Sequence, residues 1–170
     1  MAQDETRIGR KTETQRVISV KGVKPTVKVA WPREAFWLYG VVEPLSGWQW
    51  TQEYGKLNRE NFQKFLNDLS KQLGDTIAVM QLDQAPAHCA HEIKWPENII
   101  AILQPAHCPE LNAIERLWQH LKGLWKGENF ASLDALRQRV TQEMERLKPQ
   151  QIQSLTSFDL ILDALLQAAF

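Results

Sequence analysis

The apolar positions alternate with polar ones in the first third of the chain. Residues 26–31 (TVKVAW) and 48–54 (WQWTQEY) alternate, and residues 35–42 (AFWLYGVV) are rich in aromatic and branched side chains. A period of two is typical of half-buried strands, and residues 44–47 (PLSG) supply a turn between the last two segments. The pattern therefore predicts an antiparallel meander.

The spacing then becomes helical. Apolar side chains recur every three or four residues between Asn58, a good N-cap, and Gly74, a good C-terminal cap. Two apolar runs follow, at residues 77–82 and 99–103. Near-continuous apolar runs are typical of parallel strands covered on both faces, and the segment between them has room for a short crossover helix.

Three further helices are predicted in the last third. One follows Pro109 with an apolar stripe through Trp118, another begins at Ser132, and the last spans residues 158–169. Antiparallel strands followed by alternating helices and strands predict an α/β fold with a mixed sheet. We expect residues 1–170 to form a single domain.

The composition fits a globular protein. The chain has 170 residues, of which 44% are hydrophobic and 24% charged. The charged start of the chain predicts that there is no secretory signal, and the apolar stretch at residues 160–170 is too short to cross a bilayer. Cys89 and Cys108 do not suggest a disulfide framework. We therefore expect a soluble, cytoplasmic protein without a membrane partner.

The charges are unevenly distributed although the net charge is zero. Residues 1–33 contain eight Lys or Arg and three acidic residues, a net charge of +5, so the remainder carries −5. Such a basic segment is suited to phosphate contacts, but a solvated charged surface is the commoner explanation. Charge alone does not establish nucleic-acid binding.

Two carboxylates lie where an α/β fold places its reacting groups. Asp83 directly follows the apolar run at 77–82, and ligands gather beyond the C-terminal ends of parallel strands. Glu115 lies on the shoulder of the apolar stripe of its helix, from which it can point toward a strand end. The structural alternatives are an Asp that starts a turn and a Glu that favours a first helical turn.

Asp4 is a third candidate carboxylate, in a polar segment. Three carboxylates on separate elements suit Mg²⁺ or Mn²⁺, which prefer hard oxygen ligands. Two such ions can clamp the attacking and leaving oxygens of a phosphoryl displacement.

The segments around these acids resemble motifs of the bacterial insertion-sequence transposases in the mariner-like DDE superfamily. Residues 82–88 (LDQAPAH) resemble the second-aspartate motif of the family. Residues 105–118 (PAHCPELNAIERLW) resemble the motif that carries its third acid and are the most specific part of the match. Residues 4–9 (DETRIG), followed by 22–25 (GVKP), are similar to the first-aspartate segment.

The resemblance implies an RNase H-like fold and a DDE transposase catalytic domain. Asp4, Asp83 and Glu115 would be the catalytic residues and would bind two Mg²⁺ or Mn²⁺ ions to cleave DNA and transfer strands. The implied partners are double-stranded DNA, as transposon ends and as target, with a homodimer left open. The alternatives are an inactive or repurposed transposase fragment and an RNase H-type nuclease that hydrolyses without joining strands.

The family carries a helix-turn-helix region upstream of its first acid, and we expect that region to be absent from this chain. Since three residues precede Asp4, we also expect an incomplete first strand that holds this acid loosely. The chain alone is then expected to be inactive, or nearly so, in excision.

Histidine, cysteine and tryptophan residues suggest further sites. The spacing of the residues at 88–91 (HCAH) does not match that of a zinc finger. His88 is either close to the carboxylates or simply structural. The seven tryptophans suggest a stacking surface for single strands or core packing, and the apolar context of Trp37, Trp118 and Trp125 favours the core.

Overall fold

The computed structural model describes residues 1–14, 18–88, 91–106, 108–158 and 163. Its strands form one five-stranded sheet in the order β3-β2-β1-β4-β5. The β1–β2 and β2–β3 pairs are antiparallel, and the β1–β4 and β4–β5 pairs are parallel. The mixed sheet predicted from the sequence is confirmed. The strands are β1 (Ala2–Gly9), β2 (Ala35–Glu43), β3 (Trp48–Tyr54), β4 (Ala78–Leu82) and β5 (Ile99–Leu103).

Two of the helices begin where a polar side chain caps the first turn. The Asn58 side chain accepts a hydrogen bond from Asn61 N at 2.9 Å, and the Ser132 side chain accepts one from Ala135 N at 3.0 Å. No helix in the described part of the chain has both the length and the apolar character needed to cross a bilayer. The helices are α1 (Arg59–Leu73), α2 (Ile114–Gly123), α3 (Leu133–Arg146) and α4 (Pro149–Thr156), with a 3-10 turn at Pro109–Leu111.

The sheet lies between two layers of helix. Successive side chains of a strand point to opposite faces, so Tyr39 and Val41 pack with α1 while Leu38 and Val42 pack in the core that contains α2 and α3. Asp4 is paired with Gly40 and therefore faces the α2 side. Glu5, the next residue, is paired with Tyr39 and faces the α1 side.

The strand predicted at residues 26–31 is wrong. These residues belong to the long connection between β1 and β2, where Val27 is 51% and Trp31 69% exposed. The first strand of the meander is instead β1, whose polar residues Gln3 and Thr6 are buried. Alternation alone does not distinguish a half-buried strand from an exposed extended segment.

Two further expectations fail at the edge of the sheet. The strand β5 is not covered on both faces, since Ile100 is 51% and Ile102 52% exposed. The described residues between β4 and β5 contain no crossover helix. The helix predicted at 158–169 lies almost entirely outside the described residues, and α4 was not predicted.

Asp4 lies in a well-paired strand, so the expectation that it is loosely held is wrong. All eight residues of β1 are paired with β2. On the other side of β1, the Met1 amino group donates to Val79 O at 2.7 Å and Gln81 N donates to Met1 O at 2.9 Å. Asp4 thus lies in the central strand of the sheet.

Candidate active site

The structure brings the three predicted acids together in one pocket. Asp4 lies in the middle of β1, Asp83 directly follows β4, and Glu115 lies in the first turn of α2. All three line a pocket of about 170 Å³. Its other lining residues are Gln104, Cys108 and Pro109.

Strand register and loop contacts position these acids. Ala2 of β1 is paired with Gln81 of the parallel strand β4, so the two strands place Asp4 and Asp83 at the same level of the sheet. Leu111 and Asn112, which precede α2, are tied to both strands. The Asn112 side chain donates to Gln3 O at 2.8 Å, and Gln81 Nε2 donates to Leu111 O at 2.9 Å.

The carboxylates disfavour one another's ionised forms. Burial raises the pKa of Asp4 to about 8, and the charges of Glu115 and Glu5 add to the effect. Burial also raises the pKa of Glu115, with the charge of Asp83 adding and that of Lys122 opposing. A bound cation would relieve this repulsion.

Trp118 fixes the most buried of the three acids. Its Nε1 donates to Asp4 Oδ2 at 3.1 Å, and the residue is only 2% exposed. The indole lies so close to Gly40 that a Cβ there would be 2.5 Å from Trp118 Cη2. The sequence predicted core packing for Trp118, which is confirmed, but not its hydrogen bond to Asp4.

The donor set suits a hard divalent cation. All three carboxylates offer oxygen ligands, and burial, with neighbouring carboxylates adding to it, raises the pKa values of Asp4 and Glu115. Within the described ranges, no three His, Cys, Asp or Glu side chains form a cluster of metal ligands as they stand. Coordination would therefore require side-chain adjustment within the pocket.

His88 lies beside the carboxylates. The sequence had left open whether it lies there or is simply structural. Its Nε2 is 3.1 Å from both carboxylate oxygens of Glu5, and its Nδ1 is 2.7 Å from Asp83 Oδ1. Burial lowers the pKa of His88, but its hydrogen bond with Glu5 and the charges of Glu5 and Asp83 outweigh this and raise it to about 9. Sequence reasoning missed the contribution of Glu5.

The described histidine and cysteine residues near the pocket do not form a zinc site of their own. Cys89 and His107 lie outside the described residues, and His91 is exposed. Cys108 is a free thiol at the wall of the acidic pocket. Both ring nitrogens of His88 contact carboxylates, those of Glu5 and Asp83.

An open groove of about 590 Å³ adjoins the acids along α2. It is lined by Glu115 and Trp118, together with the acidic Glu110 and the basic residues Arg116 and Lys122. The groove therefore combines one of the predicted acids with two cationic side chains suited to phosphate groups.

Comparison with known proteins gives one family match and one related chain. The family described as DDE superfamily endonuclease matches residues 1–137. An uncharacterized protein of Sinorhizobium fredii, y4pE/y4sA, is 31% identical over 90 residues. The match covers 52% of this chain and 67% of that protein.

The chain is also similar to solved structures of Mos1 transposase. The Mos1 paired-end complex with left transposon end matches with a TM-score of 0.70, and the mariner Mos1 paired-end complex with Mg matches with 0.74. Each is 15% identical and covers 91% of this chain. The chain spans about half the length of these proteins, 50% in both cases. The likeness shows the fold, and it is the RNase H-like arrangement that the sequence resemblance implied.

Proposed function

Since the chain belongs to the DDE superfamily endonuclease family, we propose that it is a transposase catalytic domain that cleaves DNA and transfers its strands. Asp4, Asp83 and Glu115 are the proposed catalytic residues. One observation carries the proposal: three acids from three separate elements line one pocket. Asp83 and Glu115, from the two sequence motifs, lie in this pocket together with Asp4 of the central strand β1.

The proposed cofactor is Mg²⁺ or Mn²⁺, as two ions held by Asp4, Asp83 and Glu115. When bound, such ions supply Lewis-acid activation of the attacking oxygen and neutralise charge on the leaving oxygen. The solved Mos1 complex with Mg supports this choice of metal. The raised pKa values of Asp4 and Glu115 support it as well, because a cation would stabilise the ionised carboxylates.

Residues around the pocket hold these ligands in place. Trp118 keeps one oxygen of Asp4 in a hydrogen bond, so the carboxylate cannot rotate freely. Asn112 and Gln81 tie the segment before α2 to the sheet and so set the position of Glu115. Fixed ligands matter because small displacements of reacting groups cost about a hundredfold in rate.

The proposed partner is double-stranded DNA, as transposon ends and as target. Arg116 and Lys122 border the groove that leads to Glu115 and are suited to contact the DNA backbone. The Mos1 complex with left transposon end supports a DNA end as substrate. A homodimer and a cytoplasmic location stay predictions.

The proposal is tested by nicking of supercoiled plasmid DNA in Mn²⁺. Asp83→Asn and Glu115→Gln should each abolish cleavage, because each removes a charged ligand from the site. Circular dichroism should show that both variants keep the fold. Asp75→Asn and Glu60→Gln are matched controls, since both residues are exposed and neither lines the pocket.

Cleavage by Asp83→Asn or Glu115→Gln at the rate of the unchanged protein would refute the assignment. Loss of cleavage in the Asp75→Asn or Glu60→Gln control would show that the effect is not specific to the pocket.

A further inference from the structure

A buried histidine links the proposed site to the opposite face of the sheet. The side chain of His88 is 0% exposed and that of Glu5 is 3% exposed. Glu5 faces the α1 side, whereas its neighbour Asp4 faces the α2 side and the pocket. His88 contacts Glu5 through Nε2 and Asp83 through Nδ1.

The ring of His88 is fixed on several sides. Phe62 of α1 packs against it, with ring centroids 4.4 Å apart. Glu5 is held in turn by Gln3, whose Nε2 donates to Glu5 Oε1 at 2.8 Å. A buried polar group of this kind is stable only when its hydrogen bonds are satisfied, so the position of His88 depends on Glu5.

The contacts of Asp83 are asymmetric. Its Oδ1 accepts from Ala85 N at 2.9 Å and lies 2.7 Å from His88 Nδ1. In the part of the chain that the structure describes, no hydrogen bond reaches Oδ2. The Asp83 side chain is 45% exposed and lines the acidic pocket. Without His88, this carboxylate would have one backbone contact to define its rotamer.

We infer that His88 and Glu5 are positioning residues that orient Asp83 so that its second oxygen is available to a divalent cation. The inference rests on the proposed function, in which Asp83 is a metal ligand. Outer contacts of this kind orient metal ligands in proteins, and their removal typically weakens metal binding about 10- to 100-fold. Glu5 acts through His88, and His88 acts through Asp83.

Metal affinity tests this inference without a cleavage assay. The free Mn²⁺ signal in electron paramagnetic resonance gives the dissociation constant of each variant of the full chain. His88→Ala and Glu5→Ala should each weaken Mn²⁺ binding by about 10- to 100-fold. His91→Ala, at an exposed histidine in the same loop, should leave it unchanged.

Two conservative variants separate positioning from folding. His88→Asn keeps an amide donor close to the place of Nδ1, whereas His88→Gln places its amide near Nε2 and has no donor toward Asp83. We expect Asn to restore more of the Mn²⁺ affinity than Gln. This comparison holds even if His88→Ala does not fold, and thermal melting shows which variants are folded.

The outcomes distinguish this inference from the proposed function. Unchanged Mn²⁺ affinity in a folded His88→Ala protein, together with abolished affinity in Asp83→Asn, would overturn the positioning role alone. Equal affinity of the Asn and Gln variants would overturn it as well. Unchanged affinity in Asp83→Asn would instead overturn the assignment of Asp83 as a ligand.

Discussion

At the scale of single residues, the pKa of Asp4 makes stability depend on pH. The pKa is about 8 in the folded protein and 3.8 for an ordinary Asp, so between these values the folded state holds a proton that the unfolded state has released. The free energy of unfolding of the metal-free protein therefore falls as pH rises from about 4 to about 8. The raised pKa of His88, about 9 against 6.5, acts in the same direction, because protonation is favoured in the folded state. Its stabilising effect is fully present below pH 6.5 and disappears as pH rises toward 9. Both groups thus make the folded protein less stable at alkaline pH.

Asp4→Asn should therefore stabilise the metal-free protein. The amide cannot ionise, and its oxygen can still accept the hydrogen bond from Trp118 Nε1. Thermal melting in a chelator should show a higher Tm than for the unchanged protein at pH 8, and a smaller difference at pH 5. Asp75→Asn, at an exposed turn, should show no such pH-dependent gain.

A bound cation should reverse the order of the two Tm values, so that the unchanged protein is the more stable one. Saturating Mn²⁺ should raise the Tm of the unchanged protein more than that of Asp4→Asn, because ligands that bind the folded state stabilise it. A Tm of metal-free Asp4→Asn that lies below that of the unchanged protein at pH 8 would contradict the electrostatic account of Asp4.

At the scale of elements, the site depends on how closely α2 approaches β2. Gly40 of β2 lies against the Trp118 indole of α2, and a Cβ at this position would also be 3.1 Å from Ile114 Cδ1. No side chain larger than hydrogen fits without moving the helix or the indole. Since Trp118 also holds Asp4, the packing of β2 and the geometry of the acids are coupled.

Gly40→Ala should destabilise the protein by about 1–3 kcal/mol, the usual cost of an overpacked core. Urea denaturation gives the change in the free energy of unfolding. Gly55→Ala is the matched control, because nothing lies within 4 Å of its added Cβ. If Gly40→Ala and Gly55→Ala unfold at the same urea concentration, the close approach of β2 and α2 is not structurally important.

Two of the helices were predictable from local signals alone. Helical spacing and the caps at Asn58 and Ser132 correctly predicted α1 and α3, because capping and periodicity are local properties. The strand β1 could not be predicted from its own pattern. Gln3 is 0% exposed, and its side chain hydrogen-bonds Glu5. A buried polar strand residue of this kind looks like a surface residue in the sequence.

A site residue was predictable where its position within its own strand or helix indicates that it lies at the site. Asp83 ends an apolar strand, and Glu115 lies beside a helical stripe, so both could be proposed from the sequence. Asp4 was a candidate only as a carboxylate in a polar segment, and the resemblance identified it as the first acid of the family motif. The links from His88 to Glu5 and from Trp118 to Asp4 join residues 83 and 114 positions apart. Such contacts depend on strand register and helix packing, which no local pattern defines.

At the scale of the whole molecule, the basic charge is concentrated in one region. Residues 1–33 carry +5 and the remainder −5. Much of this charge lies in the connection between β1 and β2, where Lys21, Lys24 and Lys28 are exposed. Lys11, in the same connection, lies 4.1 Å from the centroid of the Trp31 ring. Under the proposed function, the connection would supply contacts with the DNA backbone that are independent of base sequence.

The exposed lysines of this connection should therefore determine how DNA binding depends on salt. A triple variant in which Gln replaces Lys21, Lys24 and Lys28 should bind DNA more weakly. The negative slope of log K against log salt should also become shallower, by roughly 0.9 for each phosphate that these lysines no longer neutralise. Fluorescence anisotropy with a labelled duplex, measured over a range of salt concentrations, gives the slope. The matched control replaces Lys56, Lys64 and Lys148, which are exposed elsewhere on the surface. If the slope becomes shallower by the same amount in both triple variants, total charge governs binding and the connection has no particular role in holding DNA.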